Sequence, residues 1–391
     1  MIDSPRAVVL ATLDTKRIET DCLLNRLRRN GLACDVVDTS LEPGGVVLSG
    51  KEKVEAMRKA ALKAGLAVQR ASDEGALVFV GIGGGTGAQI AAQALSSLPL
   101  ETPKLLVTTL ASDLRKFAAI DGIVLVPTIA DLIGTGPAIR NSLSDAASMA
   151  AALARGRERE RLRDHPTIGI TALGVVAPVI DAIVARFARA GHEVTTFHAN
   201  GFGGAAFARW GRAGFFSGIA DCAIHELTRL LGGSGGELME DRLVVRRPVP
   251  RVLLPGGINF FTRGGIETLD SSELNRPHYR HSPDFTHVAL ETAEMAQAGR
   301  HVADSLNESE CSNAFILPMG GFSSEDRVGG AIENPSGRVA FARELRAILR
   351  GNVEIIELPY HINDAGTAEF AAKVLLRMMA NGNPSNAEKE Y

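Results

Sequence analysis

Residues 6–12 (RAVVLAT) form a continuous apolar run that ends in the polar stretch Leu13-Asp14-Thr15-Lys16. Ile18, Cys22, Leu23, Leu24 and Leu27 then recur near the helical period, and Asn30-Gly31 supplies a stop, because glycine suits the position just past a helix. CDVVDTS (34–40) reads as a second strand. Strand, helix, strand is the unit of a parallel sheet. The pattern continues with a helix over 51–71, a strand over 76–82, the glycine loop 83–87 and an Ala-rich helix. Strands over 104–110 and 122–128 and a helix over 141–164 complete this half. The strands are unbroken Val, Ile and Leu runs rather than alternating ones, which predicts a sheet covered on both faces.

At Thr167 the scheme restarts. TIGITAL is a strand, 177–190 a helix, Gly191-His192 a stop and EVTTFHA a strand, in nearly the spacing of residues 6–39. Further strands are predicted at 251–254, 313–318 and 353–358, whereas the irregular, polar residues 257–310 read as loops over a cleft. The fold class is therefore α/β, with two doubly wound parallel-sheet domains, 1–165 and 166–391. The charge run RGRERERLRDHP (155–166) reads as a solvated helix end and linker, since its alternating signs cancel. The tail after 381 reads as frayed.

Composition narrows the function classes. The 391 residues, 45% hydrophobic and 22% charged, exclude a disordered or fibrous chain. Forty-two Lys+Arg against 45 Asp+Glu give a net charge of -3, which argues against a protein that coats nucleic acid. Four scattered cysteines without a CxxC fit neither a disulfide framework nor a structural zinc site. The N-terminus has no secretory pattern, and no apolar run approaches the roughly 20 residues of a membrane span. The expectation is a cytoplasmic protein without membrane or nucleic-acid partners.

Ligands of open parallel sheets bind outside the carboxyl ends of the strands. In the first half the sharpest strand-end feature is Gly83-Gly84-Gly85-Thr86-Gly87, placed between a strand and a helix. Glycines let backbone approach a phosphate, and a helix N-terminus presents unpaired N–H groups. Tight strand–helix packing also requires glycine. There is no G-x-x-x-x-G-K-[ST]. Gly83-x-Gly85-x-x-Ala88 fits only a relaxed dinucleotide fingerprint, and it follows the third predicted strand rather than the first. Lys16, beside Thr15, can neutralise phosphate, and Asp14 can hold Mg²⁺ through water. Asp14 or Thr15 can equally cap the helix. All nine histidines lie at or beyond His165, so the first domain works without imidazole, which suits anion binding.

The second half has its own loops, among them 198–204, Asp221 with His225-Glu226, 255–259, 280–283, 318–326 and 361–364. Their convergence at one sheet edge would suit a substrate. His278 and His281 are three apart in a proline-flanked segment and form a poor zinc pair. No HExxH or G-x-S-x-G occurs, and the glycine-rich stretch 232–236 reads as a flexible loop.

Taken together, ATLDTK (11–16), GGGTG (83–87), TTLASD (108–113), FHANGFGG (197–204), LPMGGFS (317–323) with Asp326, and IND (362–364) resemble the tomato mosaic virus resistance protein-like ATP-binding family. The resemblance spans nearly the whole chain. It implies two Rossmann-like domains, ATP held mainly by the first, and a homodimer. Carried over, Thr12, Asp14, Lys16, Gly83 to Gly87, and Thr109 to Ser112 are the nucleotide candidates. Arg17 stands where the family commonly has glycine, His281-Ser282-Pro283 replaces its HNP, and Ala289 aligns with an arginine. The expected function is an ATP- and Mg²⁺-dependent enzyme acting by phosphoryl or adenylyl transfer or ligation on a small molecule in a cleft between the domains. His281, Glu226 and Asp326 would orient substrate or move a proton. The alternatives are a nucleotide-dependent binding or inhibitory protein without turnover, and an NAD-dependent oxidoreductase.

Overall fold

The computed structural model describes residues 4–41, 48–156, 162–232, 240–351 and 353–381. The middle of the 155–166 charge run, the glycine-rich stretch beyond 232 and the tail after 381 lie outside the described residues. The chain divides into two compact units, residues 1–161 and 162–391.

The first unit alternates strand and helix: β1 (Arg6–Ala11), α1 (Leu13–Arg29), β2 (Ala33–Asp38), α2 (Gly50–Asp73), β3 (Val78–Gly83), α3 (Gly85–Leu95), β4 (Lys104–Thr108), α4 (Arg115–Asp121), β5 (Val124–Pro127) and α5 (Pro137–Arg155). The five strands are parallel, in the order β2-β1-β3-β4-β5. Strand periodicity explains the continuous apolar runs. Ala7, Val9 and Ala11 of β1 pack with α1 and α5, while Val8 and Leu10 pack with α2, α3 and α4 on the opposite face. The chain goes from β1 outward to β2 and then crosses back to β3, so β1 and β3 flank a topological switch point.

Two local expectations change here. α1 starts at Leu13 instead of after a polar turn, and Lys16 (φ -125°, ψ 23°) kinks its first turns. α5 begins at Pro137, four residues early, because proline is pre-shaped for a first helical position.

The second unit contains β6 (Thr167–Ala172), α6 (Ala177–Arg189), β7 (Val194–His198), α7 (Gly203–Ala213), β8 (Phe216–Ala223), β9 (Arg251–Gly256), β10 (Phe260–Arg263), α8 (Ser271–Leu274), β11 (His278–Ser282), β12 (Phe285–Ala289), α9 (Thr292–Asn307), β13 (Asn313–Pro318), α10 (Pro335–Ile348), β14 (Val353–Leu358) and α11 (Ala365–Asn381). Its six-stranded sheet is ordered β7-β6-β8-β9-β13-β14, all parallel. α6 and α11 cover one face, α9 and α10 the other. The winding repeats that of the first unit, with the switch point between β6 and β8.

Residues 257–310 are not a run of loops. They hold a small antiparallel sheet, β10-β12-β11, followed by α9. β8 is a second correction, since a segment expected to be partly loop is a central strand. FSGIADCA carries Ser, Gly and a fully buried Asp221. That aspartate is tolerated because Thr171 donates to it at 2.8 Å and Arg242 embraces both of its oxygens at 2.8 and 2.9 Å. Burial pushes the Asp221 carboxyl up, and the Arg242 charge and its hydrogen bonds more than reverse this, so the group stays ionised. Removing one partner of a buried pair strands the other charge. Arg242→Ala should destabilise the second unit by roughly 3–5 kcal/mol, measured by urea denaturation; a loss below about 1 kcal/mol, the level of an exposed pair, would show that the pair does not hold β8.

Candidate functional site

Two helices begin at the switch point of the first unit, and they differ. At α1 the Leu13 amide donates to the Asp38 carboxylate at 3.2 Å and the Asp14 amide to the Ser40 hydroxyl at 3.1 Å. Burial pulls the Asp38 carboxyl up, but hydrogen bonds from Ser40 and Leu13 hold it below its usual range. The cap of α1 is thus a carboxylate from the end of β2 and not Asp14 or Thr15, as local spacing suggests. Asp14 itself is exposed, with the Ser40 hydroxyl within 3.1 Å of its carboxylate.

α3 has no side-chain cap. Its glycine loop separates into two pairs. A Cβ on Gly83 would lie 2.6 Å from the Ala88 nitrogen and the Gly87 carbonyl carbon, and one on Gly87 would lie 3.1 Å from the Thr12 hydroxyl. Packing therefore requires glycine at 83 and leaves little room beside Gly87. A Cβ on Gly84 would meet nothing nearer than 4.0 Å, and one on Gly85 only the Ala111 methyl at 3.6 Å. The protein's own packing gives no reason for glycine at 84 and 85.

Other candidates gather at this edge. The Lys16 ammonium donates to the Leu132 carbonyl in the loop after β5. Thr15 hydrogen-bonds back to the Thr12 carbonyl at 3.5 Å, Thr12 is buried, and Thr86 and Thr109 are half-buried. Among the described residues Leu110, in the loop after β4, is the one non-glycine with left-handed φ (53°), a strained conformation of the kind that concentrates at functional loops. The buried hydroxyls of Ser112 and Thr39 have no hydrogen-bond partner among the described residues.

At the switch point of the second unit lies a cavity of about 200 Å³. The loop after β6 lines it with Leu173, Gly174 and Val175, the end of β7 with His198 and the chain after β7 with Asn200. The small antiparallel sheet contributes Thr262, His281, Phe285 and His287. Behind it four rings stack in sequence. His225 lies on Phe260 (4.6 Å), Phe260 on His287 (4.1 Å) and His287 on His281 (4.6 Å). The His225 Nδ1–H donates to the Gly257 carbonyl at 2.7 Å, so its Nε2 accepts the Thr262 hydroxyl at 2.9 Å. Burial drives the His225 imidazole down to about 4. Burial, with His281 and His225 nearby, drives His287 down to about 3.

The three predicted catalytic residues part company. His281 sits at the end of this ring stack, on β11 and exposed. Glu226 does not line the cavity. It is buried against α7, where a Cβ on Gly204 would fall 1.7 Å from its Oε1, and it lies 3.4 Å from Arg242. Burial pushes its carboxyl up. Asp326 is fully buried, accepts from the Phe322 and Asn334 amides at 2.9 and 3.0 Å, and pairs with Arg338. It ties together the loop between β13 and α10 and does not line the cavity. His287 was missed; its one sequence signal is the strand-like run FTHVAL at 285–290. Among the described residues no group of three or more His, Cys, Asp and Glu is arranged to hold a metal ion.

Two doubly wound parallel units, each with polar groups gathered at its switch point, define a two-domain α/β protein of Rossmann-like architecture. The chain belongs to the UPF0261 family: the N-terminal domain of that uncharacterised protein family matches residues 44–159 and the C-terminal domain residues 165–379. A UPF0261 protein of Rhizobium meliloti is 33% identical over 96% of this chain and 99% of its own length. A UPF0261 protein of Clostridium tetani is 26% identical over the same shares. The ToMV resistance protein Tm-1 of Solanum lycopersicum is 29% identical over 77% of this chain, which covers 41% of that larger protein. No helix among the described residues is long and apolar enough to cross a membrane.

The histidine stack has a pH consequence. His225 and His287 are held below the ordinary value of 6.5 in the folded protein and regain it on unfolding. The unfolded chain then binds more protons, so stability is retained above about pH 6.5 and falls as pH drops toward the folded values. The slope should be at most about 1.4 kcal/mol per pH unit for each imidazole. Urea denaturation at pH 7 and pH 5 should show the loss, and His287→Phe should reduce it; an unchanged slope in that variant would mean that His287 stays charged in the fold.

Proposed function

We propose that the first unit binds ATP with Mg²⁺ at the carboxyl edge of its sheet, and that the protein uses it for phosphoryl or adenylyl transfer or ligation onto a small molecule. The observation that carries this reading is the uncapped N-terminus of α3 behind two glycines that packing does not need. Backbone N–H groups there would meet phosphate oxygens. Lys16 would add charge, Asp14 is the exposed carboxylate for the metal, and the orphaned Ser112 and Thr39 hydroxyls offer polar partners. Leu110, Ile129 and Ile133, exposed in the loops after β4 and β5, supply apolar surface for a base. Bound ATP contributes a reactive phosphoryl or adenylyl group; phosphoryl transfer relies mainly on positioning and charge neutralisation, which a domain without histidine can provide.

The position of the glycine loop after β3 argues against a dinucleotide. So does Asp38, which ends β2, where a dinucleotide fold keeps its ribose-binding acid, and is engaged with α1. Binding without turnover is a second reading. It is favoured by the burial of Glu226 and Asp326, which leaves the second unit without a carboxylate on its cavity. Release of phosphate or pyrophosphate from ATP during incubation with small-molecule substrates separates turnover from binding.

Gly85→Val places its side chain where the folded protein has room and phosphate would not. The variant should melt like the parent and lose ATP binding by calorimetry; unchanged affinity would return the loop to a packing role. Lys16→Ala should weaken ATP by about 10–100-fold, the equivalent of a charge-assisted hydrogen bond of roughly 1.5–3 kcal/mol, and AMP much less. Equal losses for the two nucleotides would remove Lys16 from the outer phosphates.

A further inference from the structure

We propose that the switch-point cavity of the second unit binds a small carboxylate carried on a planar apolar body, held by the Asn200 amide and the His287 ring N–H. The assignment begins with what the cavity lacks, since none of its lining residues is acidic. The orientation of its polar groups is then set from behind. The Asn200 carbonyl oxygen accepts from the Arg229 guanidinium and from the Gly201 amide, both at 2.8 Å. Those bonds spend the acceptor of this side chain and leave its NH₂ group as the part not used by the fold. The Tyr279 hydroxyl, pushed up to about 12 by burial and by Glu325 nearby, stays protonated and lies 2.8 Å from His287 Nδ1, and we take it as the donor of that bond. The single proton of the neutral His287 ring then sits on Nε2. Thr262 gives its hydroxyl proton to His225. The site therefore offers donors from Asn200 and His287, with His198 and His281 beside them. An anion finds partners there, and a cation finds no carboxylate.

The remaining lining fixes the rest of the ligand. Leu173, Val175 and Phe285 are apolar. His287 and His281, the two members of the stack that line the cavity, lie 10° from parallel, and the exposed His281 ring ends the stack, where a planar body can continue it. A Cβ on Gly174 would meet no atom within 4 Å, so backbone is open to the ligand at that point. At about 200 Å³ the cavity is smaller than sites for drug-sized molecules, which selects a ligand near the size of benzoate rather than a nucleotide. The inference names a substrate class for the function proposed above and rests on that reading only for the ligand's role as substrate; binding is measured without nucleotide, so the two fail separately.

The test uses the full chain without ATP. Benzoate, salicylate and 4-hydroxybenzoate are titrated by calorimetry, each against its neutral amide, together with inorganic phosphate. At least one carboxylate should bind about tenfold or more tightly than its amide. Asn200→Asp retains an acceptor for Arg229 and Gly201 and replaces the NH₂ donor with a negative oxygen. It should keep the parental melting temperature and ATP affinity while losing the carboxylate. His287→Phe preserves the stack, removes the N–H, and should weaken the carboxylate by about tenfold, a loss typical of one hydrogen bond to a charged group. The proposal is overturned if no carboxylate exceeds its amide by more than about twofold, if phosphate binds more tightly than every carboxylate, or if Asn200→Asp binds the carboxylate like the parent.

Discussion

Burying both faces of a parallel sheet leaves polar chemistry little room except the strand ends. β1, β3 and β4 are almost wholly buried between two helical layers, and the polar residues Thr12, Asp14, Thr15, Lys16, Thr109 and Ser112 lie just beyond them. Doubly wound topology adds a second constraint. Where the winding reverses, neighbouring connections leave the sheet in opposite directions and open a crevice. Both units wind in this way, with a crevice beside β1 and β3 in the first and beside β6 and β8 in the second.

Within the first unit, the ends of two helices are put to different uses. The N-terminus of α1 is neutralised by Asp38 from inside the chain, which locks the end of β2 to the start of α1. The N-terminus of α3 has no such partner. One end is closed by a side chain of the fold, and the other is not. The glycines divide in the same way: Gly83 and Gly87 serve strand–helix contact, while Gly84 and Gly85 keep the approach clear.

The architecture was legible because it rests on local pattern. Unbroken apolar runs, helical periods and glycine stops do not depend on distant residues, and they marked most strands of both sheets. β8 was not legible because its Asp221 becomes compatible with a central strand only through Thr171 and Arg242, 50 and 21 residues away. The small antiparallel sheet was hidden for a related reason. His278 to Ser282 is polar and has no fully buried residue, so it lacks a buried-strand signature, and its pairing with β12 supplies the order. Site residues were legible as strand-end types but not as roles. Asp326 and His281 look alike as candidates in sequence, yet one is sealed by two amides and Arg338 while the other ends a ring stack beside a cavity.

The uneven distribution of histidine acquires a physical meaning at this point. Imidazole is useful where a neutral ring must present a chosen nitrogen, and that choice is made by the partner on the other nitrogen. Such a partner occurs in the second unit, where the Gly257 carbonyl sets His225, and the Tyr279 hydroxyl lies against His287 Nδ1. The stack keeps both rings neutral by excluding water, so their donors and acceptors do not reverse near neutral pH. In the first unit, a fixed positive end of a helix and an ammonium group provide charge without any dependence on tautomer. The two units thus share one topology but prepare their switch points by different means, backbone and cation in one, oriented neutral donors in the other.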